Sequence, residues 1–396
     1  MSKSNIEWTT ETWNPIVGCS VLSPGCTNCY AMKMAHRIEA MNLEAESRGK
    51  GKSAPQYDGT TRVVNGKAVW TGKLALAGDN VLLAPLKRKK PTTYFVNSMS
   101  DLFHEDAPDQ WIDRIFAVMA LCPQHTFQVL TKRAERMRGY MDRLYGAEAS
   151  PRGFVCPPWS NLLNQVERRW MDADPSYMAD IRPLLLRGLQ GGRTLPNGPL
   201  PNVWLGVSTE DQKRADERIP HLLQTPAAVR FISAEPLLGH IALHALNLAT
   251  PTPCDALRGV QCVPDDSHDG FHNEPMNKLD WVIVGGESGP DARPMHPEWV
   301  RTIRDWCQAT GVSFFFKQWG EWRQRDCVHV GREHAVFNPD GSLTMGVGAG
   351  TAVECLRTHV VMERMGKRRA GRLLDGITHD AMPDDHVITP ARRAAE

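Results

Sequence analysis

Six short apolar segments, each ending abruptly in polar residues, constrain the fold of this 396-residue chain more than any other feature. Continuous apolar runs of this length are typical of strands that are buried on both faces. Helical patterns lie between several of them, as at 109–121 and 297–309, where apolar residues recur at the spacing of one helix face. Strands that alternate with helices predict a parallel sheet. The predicted strands lie at 94–96, 127–133, 203–211, 229–237, 281–289 and 312–322.

This alternation predicts an α/β fold, a partial or closed (β/α) barrel with loop insertions, although an open doubly wound sheet also fits the pattern. We expect the barrel to span residues 1–325, with insertions near 41–75, 139–200 and 245–278. A C-terminal extension at 326–396 is predicted to contain a basic helix, because the stretch VVMERMGKRRAGRLLDG has a helical pattern. The polar tail that follows this stretch is expected to fray.

The polar residues that follow the predicted strands are candidates for a functional site. In barrels, the carboxyl ends of the parallel strands meet at one face, so side chains at those ends come together. Loops are polar for solvation too, but the same change from apolar to polar recurs after six strands, which favours a shared site. These positions hold Ser98, Asp101, Lys132, Arg133, Ser208, Glu210, Ser233, Glu235, Gly286, Glu287, Lys317 and Gln318.

Three cysteines near the start, Cys19, Cys26 and Cys29, stand at the spacing C-x6-C-x2-C in a loop rich in proline and glycine. Three thiolates on one loop can hold three corners of a metal centre and leave a fourth position for another ligand. Iron–sulfur clusters use thiolates at close spacing. Structural zinc wants four ligands, and the remote His104 is a candidate for the fourth. An iron–sulfur cluster, zinc and unligated thiols therefore remain alternatives at this point.

Composition limits the function classes and the compartment. The chain has 46 basic and 45 acidic residues, so overall charge does not indicate nucleic-acid binding. Its ten cysteines are mostly scattered, which is not typical of a disulfide framework and favours a reducing cytoplasm. The first residues have no apolar core typical of a signal peptide, and no stretch is apolar for the length of a membrane span. We therefore expect a cytoplasmic protein without membrane contact.

The chain also resembles known families. A cysteine loop followed by strands and helices is similar to the radical S-adenosylmethionine enzymes, whose usual spacing is C-x3-C-x2-C, whereas the first gap here has six residues. More closely, the chain resembles a phage and prophage family of three-cysteine proteins. The motifs that carry this resemblance cover most of the chain: IEWTTETWNPIVGCSVLSPGCTNCYA, NSMSDLFHE, LTKR, GVSTED, ISAEPL, VIVGGESG, FFFKQWGEW and MGKRRAGRLLDG.

The resemblance implies a barrel of the radical S-adenosylmethionine type and two cofactors. Cys19, Cys26 and Cys29 would hold a 4Fe-4S cluster, and its open iron would bind S-adenosyl-L-methionine. A donor such as flavodoxin or ferredoxin would supply the electron that generates a deoxyadenosyl radical. That radical takes a hydrogen atom from an unactivated carbon, and the protein positions the cofactor and keeps water away.

The resemblance also implies roles for residues at the strand ends. Tyr30, directly after the last cysteine, would pack on the adenine. Cofactor binding would further involve Ser98, Ser100 and Asp101, and a Gly-Gly-Glu motif at Gly285, Gly286 and Glu287 that usually follows the second strand of the superfamily. Four residues are expected to face either the substrate or the sugar and carboxylate of the cofactor, and we treat them as candidate catalytic residues: Lys132, Glu210, Glu235 and Lys317.

Family members of phage origin resemble enzymes of thymidine hypermodification. This implies an isomerase that converts an amino acid linked through nitrogen to the thymine methyl carbon into the carbon-linked form, acting in the host cytoplasm on DNA or a nucleotide. A repair lyase similar to spore photoproduct lyase is a second possibility, and extruding its base from duplex DNA costs a few kcal/mol. Basic runs at 87–90 and 364–372 are candidates for phosphate contacts. From another class, a zinc-stabilised nucleic-acid-binding module without catalysis also fits.

Overall fold

A computed structural model describes residues 2–4, 6–145, 199–247, 253–264, 271–327, 329, 331–347 and 359–383. The predicted insertion at 139–200 lies outside the described residues except at its two ends, and so does the tail after 383. No helix of the described part is long and apolar enough to cross a membrane.

The strands and helices alternate along much of the chain. In chain order the strands are β1 (Ser2–Lys3), β2 (Glu11–Trp13), β3 (Ile16–Val17), β4 (Thr61–Val64), β5 (Lys67–Trp70), β6 (Ala75–Leu76), β7 (Thr93–Val96), β8 (Thr126–Thr131), β9 (Val203–Ser208), β10 (Val229–Ala234), β11 (Cys254–Asp255), β12 (Val260–Pro264), β13 (Phe271–Pro275), β14 (Trp281–Gly285), β15 (Ser313–Gln318), β16 (Trp322–Arg325), β17 (Glu333–Phe337), β18 (Leu343–Val347) and β19 (Val360–Arg364). The helices are α1 (Tyr30–Ser47), α2 (Asp79–Leu82), α3 (Ala84–Lys87), α4 (Asp109–Ala120), α5 (Ala134–Tyr145), α6 (Gln212–Gln224), α7 (Pro297–Thr310) and α8 (Lys367–Ala370).

The main sheet has the order β1-β2-β7-β8-β9-β10-β14-β15. Every neighbouring pair in it is parallel except β1 with β2. The sheet curls into a half-barrel, and among the described strands β15 at one end does not pair with β1 or β2 at the other. The α/β class and the partial barrel are thus confirmed, and all six predicted strands belong to this sheet.

Helices cover the convex face of the half-barrel. In α4 the buried side chains include Ile112, Ile115 and Phe116, which recur at the spacing of one helix face, as predicted. In α7 the side chain of His296 accepts the backbone N–H of Glu298 and so caps the first turn, and the helix ends at Gly311 in the left-handed region, with φ of 68°. Apolar side chains from these helices and the sheet form one large core.

An aromatic cluster fills the concave face. Trp8, from the segment before β2, packs edge-on against Phe95 at 4.8 Å and against Trp281 at 6.2 Å between ring centroids. Phe231 crosses the same face, and a Cβ on Gly206 would lie 2.5 Å from its ring, so only glycine fits there. The N-terminal segment therefore closes the inside of the half-barrel beneath the strand ends.

The C-terminal extension corrects one prediction. The stretch expected to form a basic helix begins as strand β19, which pairs with β16 and β17 in a four-stranded antiparallel sheet. Its β-branched valines and Met362 are half-buried or buried against this sheet, and such packing outweighs a local helical pattern. Only the four residues of α8 are helical, between Gly366 and Gly371, both at positive φ.

The two other predicted insertions contain regular structure. In 41–75, α1 continues to Ser47 and β4 and β5 then form a hairpin. In 245–278, strands β11, β12 and β13 form a small antiparallel sheet.

A chain segment, 377–383, runs along the outer edge of β15. The backbone N–H of Phe316 donates to His379 at 2.9 Å, the indole N–H of Trp281 donates to the carbonyl of Ala381 at 2.9 Å, and Phe315 and Asp380 form an antiparallel bridge. The last parallel strand is therefore covered rather than free.

Candidate functional site

A cavity of about 460 Å³ lies at the carboxyl ends of the parallel strands. It brings together all the predicted site residues except Glu210 and Gly285, which lie behind its wall. The predicted residues that line it are Cys19, Cys26, Cys29, Tyr30, Ser98, Ser100, Asp101, Lys132, Glu235, Gly286, Glu287 and Lys317. Its apolar lining includes Ile6, Trp8, Trp70, Phe95 and Leu130.

The cysteine loop, residues 18–29, forms one side of the cavity. Gly18 starts it with φ of 90°, and a Cβ there would lie 2.0 Å from the carbonyl oxygen of Lys73, so the tight entry requires glycine. A single 3-10 turn, Pro24–Cys26, follows, and α1 begins directly after Cys29. The sequence therefore folds locally so that all three thiols face one space.

The three thiols are free, and the surroundings of Cys19 and Cys29 favour the neutral form of these two. Burial, helped by the nearby Asp101 carboxylate, raises the pKa of Cys19 to about 12, although the guanidinium of Arg133 acts in the opposite direction. Burial also raises the pKa of Cys29. Metal binding here would have to release protons, because thiolates are the ligands.

The donors on this loop are three thiols, the ligand type that iron–sulfur clusters use. In the described part of the chain, no group of three His, Cys, Asp or Glu side chains is arranged to hold one metal ion. A cluster takes one thiolate for each of three irons, so its ligands surround it instead of converging on one point. Cys19, Cys26 and Cys29, placed around a single cavity, are the residues that could hold it.

His104, the candidate fourth zinc ligand, is engaged at both ring nitrogens. Its Nε2 lies 2.8 Å from the Ser20 hydroxyl, and its Nδ1 accepts the backbone N–H of Asp106 at 3.2 Å. The ring is buried, and burial lowers its pKa. His104 therefore supports the loop after β7 and does not offer a free nitrogen to the cysteines.

Glu210 corrects the prediction that it faces substrate. Its carboxylate is fully buried behind the cysteine loop, where it accepts the backbone N–H of Gly25 at 3.4 Å. Lys132 approaches it at 3.3 Å and Arg218 at 3.0 Å. Burial raises its pKa, but Lys132 and Arg218 together lower it more, to about 2. Glu210 is thus an ionised anchor for the loop and for Lys132.

Glu287 holds the same loop from another strand end. It accepts the side-chain N–H of Asn28 at 3.2 Å, and Arg293 donates to it from Nε at 2.8 Å and from Nη2 at 2.6 Å. Arg293 also donates to the carbonyl of Pro24 at 3.0 Å. Burial raises the pKa of Glu287, and these donors lower it below its ordinary value. Sequence reasoning missed Arg293 and Asn28, because no local motif marks them.

Asp101 is saturated with donors. Its carboxylate accepts the Thr131 hydroxyl at 2.6 Å and the backbone N–H groups of Lys132 at 2.9 Å and Phe103 at 3.0 Å. Arg133 completes the set at 3.2 Å and also contacts the Cys19 sulfur at 3.7 Å. Asp101 therefore ties β7 to β8 and positions Arg133 beside the thiol.

Tyr30 follows Cys29, and Ser98 and Ser100 follow β7; all three hydroxyls are hydrogen-bonded within the protein. The Tyr30 hydroxyl donates to the carbonyl of Ser98 at 2.9 Å, while the residue is 55% exposed and lines the cavity. The Ser98 hydroxyl donates to the Asn14 side chain and the Ser100 hydroxyl to the carbonyl of Ile16. The two serines thus fix the loop, and Tyr30 offers a surface for a flat ring.

Glu235 and Lys317, which both line the cavity, form an ion pair of 2.9 Å. The Ser233 hydroxyl donates to Glu235 at 3.0 Å. Gly285 lies behind the pair, and a Cβ there would lie 2.5 Å from a Glu235 oxygen, so this glycine makes room for the carboxylate and does not itself line the cavity. Next to Lys317, the buried Gln318 holds Ser288 through its amide nitrogen, and its oxygen has no partner in the described residues.

Comparison with known proteins gives one match. The family described as "Protein of unknown function (DUF5131)" matches residues 3–383. No curated protein and no solved structure matches the chain.

Proposed function

The chain belongs to this family over nearly its whole length, and from the site we propose that it is a radical S-adenosylmethionine enzyme. One observation carries the proposal: three free cysteines of one loop and the polar ends of the parallel strands surround a single cavity. Cys19, Cys26 and Cys29 would hold a 4Fe-4S cluster, with the fourth iron left for S-adenosyl-L-methionine. When bound, these cofactors supply one-electron chemistry that removes a hydrogen atom from an unactivated carbon.

The chain's own residues would position the reactants. The exposed face of Tyr30 offers a stacking surface for the adenine. Trp8, Phe95 and Leu130 give the cavity an apolar floor that excludes water from the reacting carbon. Lys132, held by Glu210, supplies a fixed positive charge at the wall.

We further propose that the substrate is a modified thymine, with an isomerase reaction that converts a nitrogen-linked amino-acid adduct into the carbon-linked form. The wall that supports this has the aromatic ring of Trp70, suited to a base. It also has adjacent opposite charges, Glu235 and Lys317, suited to the ammonium and carboxylate of an amino acid. A radical DNA repair lyase is the alternative within the same chemistry. The electron would come from a donor such as flavodoxin or ferredoxin.

Anaerobic purification tests the cofactors. We expect about four irons and four sulfides per chain, lost in the C19S/C26S/C29S variant and retained in C262S, whose thiol is free, half-buried and outside the cavity. Reduced protein with S-adenosylmethionine should release deoxyadenosine. A colourless protein with one zinc per chain would support the non-catalytic module instead, and a protein without metal would overturn both.

The substrate is tested on an oligonucleotide that carries the nitrogen-linked adduct. Isomerisation leaves the mass of the modified base unchanged and makes its linkage resistant to acid hydrolysis. A product of lower mass would favour the lyase.

A further inference from the structure

Only one of the two basic runs in the chain lies at the cavity. Lys367 lines it, in a segment, residues 366–372, that we call the mouth segment. This segment is fixed to the loop after β15: the backbone N–H of Gly366 donates to the carbonyl of Glu321 at 3.1 Å. At its other end, the carbonyl of Gly371 accepts the backbone N–H of Trp319 at 3.1 Å. The mouth segment is therefore held at the carboxyl edge of the sheet.

The cations of the mouth segment are not neutralised by carboxylates of the described residues. Lys367, Arg368 and Arg369 are exposed, and none of them forms an ion pair within the described residues. Arg372 lies over the ring of Phe315, 5.2 Å from its centroid, and two of its buried N–H groups, at Nε and Nη2, have no acceptor in that part of the chain.

Neighbouring cations, in contrast, are already paired. Arg364 binds Glu333 at 3.2 Å, and Arg301 and Arg304 both bind Asp375, at 2.8 and 2.6 Å. A run of unpaired cations beside a cavity attracts an anionic partner.

The other basic run, at 87–90, lies at the opposite edge. It directly precedes β7 and therefore stands at the amino end of the parallel strands, away from the cavity. Arg88 there is paired with Glu11 at 2.6 Å. The two runs are similar in sequence, but only the mouth segment can bind a ligand that also enters the cavity.

We infer that the mouth segment binds the backbone phosphates of single-stranded DNA while one base of that strand occupies the cavity. The inference rests on the proposed function and narrows its substrate from any modified thymine to one within a DNA strand. Aromatic rings behind a cationic entrance are the combination that binds single strands, since rings stack on bases and cations neutralise phosphates. A single strand also presents its base without the cost of extrusion from a duplex.

Fluorescence anisotropy with a labelled thymidine oligonucleotide of about 20 nucleotides tests this on the full chain. We expect R368A/R369A to weaken binding about tenfold at low salt. It should also make the slope of log K against log salt shallower by about 1.4, since each lost phosphate contact on a single strand contributes about 0.7. The matched control K87A/K89A removes the same charge from the opposite edge and should stay within about twofold of the parent. A third variant, K367A, reports on the cation that lines the cavity.

Several outcomes would overturn the inference. Equal weakening by R368A/R369A and K87A/K89A would mean attraction to overall charge. An unchanged R368A/R369A variant would remove the mouth segment as a site. Stronger retention on phosphatidylserine vesicles than on DNA would assign the segment to a membrane surface. Free thymidine monophosphate bound as tightly as the oligonucleotide, and weakened only by K367A, would mean a nucleotide substrate. The assay needs neither iron nor S-adenosylmethionine, so its failure and that of the radical chemistry are distinguishable.

Discussion

The carboxylates at the strand ends of the cavity are used in two different ways. Glu210 and Glu287 are buried, and each binds both a cation and the cysteine loop. Glu235, whose strand β10 lies between theirs in the sheet, binds Lys317 at the cavity surface and does not contact that loop in the described structure. All three carboxylates follow parallel strands, so their positions in the topology are equivalent.

This difference teaches that position at a strand end does not by itself assign a role. A carboxylate whose oxygens are already occupied by donors from the protein has little capacity left for a ligand. Glu210, Glu287 and Asp101 are in this state, and we assign them to positioning the loop and its thiols. The pair formed by Glu235 and Lys317 can exchange partners with a bound molecule. The predictions below test this division, from the largest expected effect on stability to the smallest.

Glu210→Ala should have the largest effect. It leaves Lys132 and Arg218 without their shared counter-charge, and breaking a buried ion pair on one side costs about 3–5 kcal/mol. Urea unfolding measures this free energy, and iron content after anaerobic purification should fall with it. The control is Glu217→Ala. Glu217 lies in α6, as Arg218 does, but forms an exposed pair with Arg214, so its loss should cost less than about 1 kcal/mol of unfolding free energy. Similar costs for the two variants would contradict the anchoring role.

The pH dependence of stability should reveal the same carboxylate. The pKa of Glu210 falls from an ordinary value of 4.5 to about 2 in the folded chain. Its stabilisation is therefore complete above the ordinary value and is lost as the pH falls towards the folded value. The difference in unfolding free energy between the parent and Glu210→Gln should shrink over that interval. A difference that stays constant down to the acid limit would argue against an ionised Glu210.

The pair formed by Glu235 and Lys317 should behave in the opposite way. E235Q/K317M removes both charges together, and replacing a pair as a unit is often close to neutral, so unfolding free energy should change by less than about 1 kcal/mol. Iron content should stay at the parental level, while deoxyadenosine release with substrate should fall at least about tenfold, equivalent to about 1.4 kcal/mol of barrier. A large loss of stability or of iron would mean that this pair has a structural role, like Glu210 and Glu287.

Much of the fold and of the site's membership could be predicted from the sequence. Apolar runs with polar ends predicted the parallel strands, and the meeting of strand ends in a half-barrel brought distant residues such as Tyr30, Lys132 and Lys317 to one cavity. β2 was missed because it has only three residues, of which Trp13 alone is fully buried. β19 was missed because its pairing with distant strands outweighs its local pattern.

The roles within the site could not be predicted in the same way. Asn28 and Glu287 meet across 259 positions of sequence, and Gly25 and Glu210 across 185. No local spacing encodes such contacts, because they depend on how the cysteine loop settles against two strand ends. The sequence could therefore identify the carboxylates but not their hydrogen-bond and ion-pair partners. Those partners distinguish a carboxylate that anchors the cysteine loop from one that faces the cavity.

The segment 377–383 along β15 has a consequence for access. In a closed barrel, the last strand would pair with the first, and a substrate would have to arrive end-on through the ring of loops. Here the outer edge of β15 is already bonded to the chain's own backbone, so this edge has no free backbone groups with which to pair with the first strand. The half-barrel that we propose to receive a DNA strand is thereby kept from sealing itself into a ring.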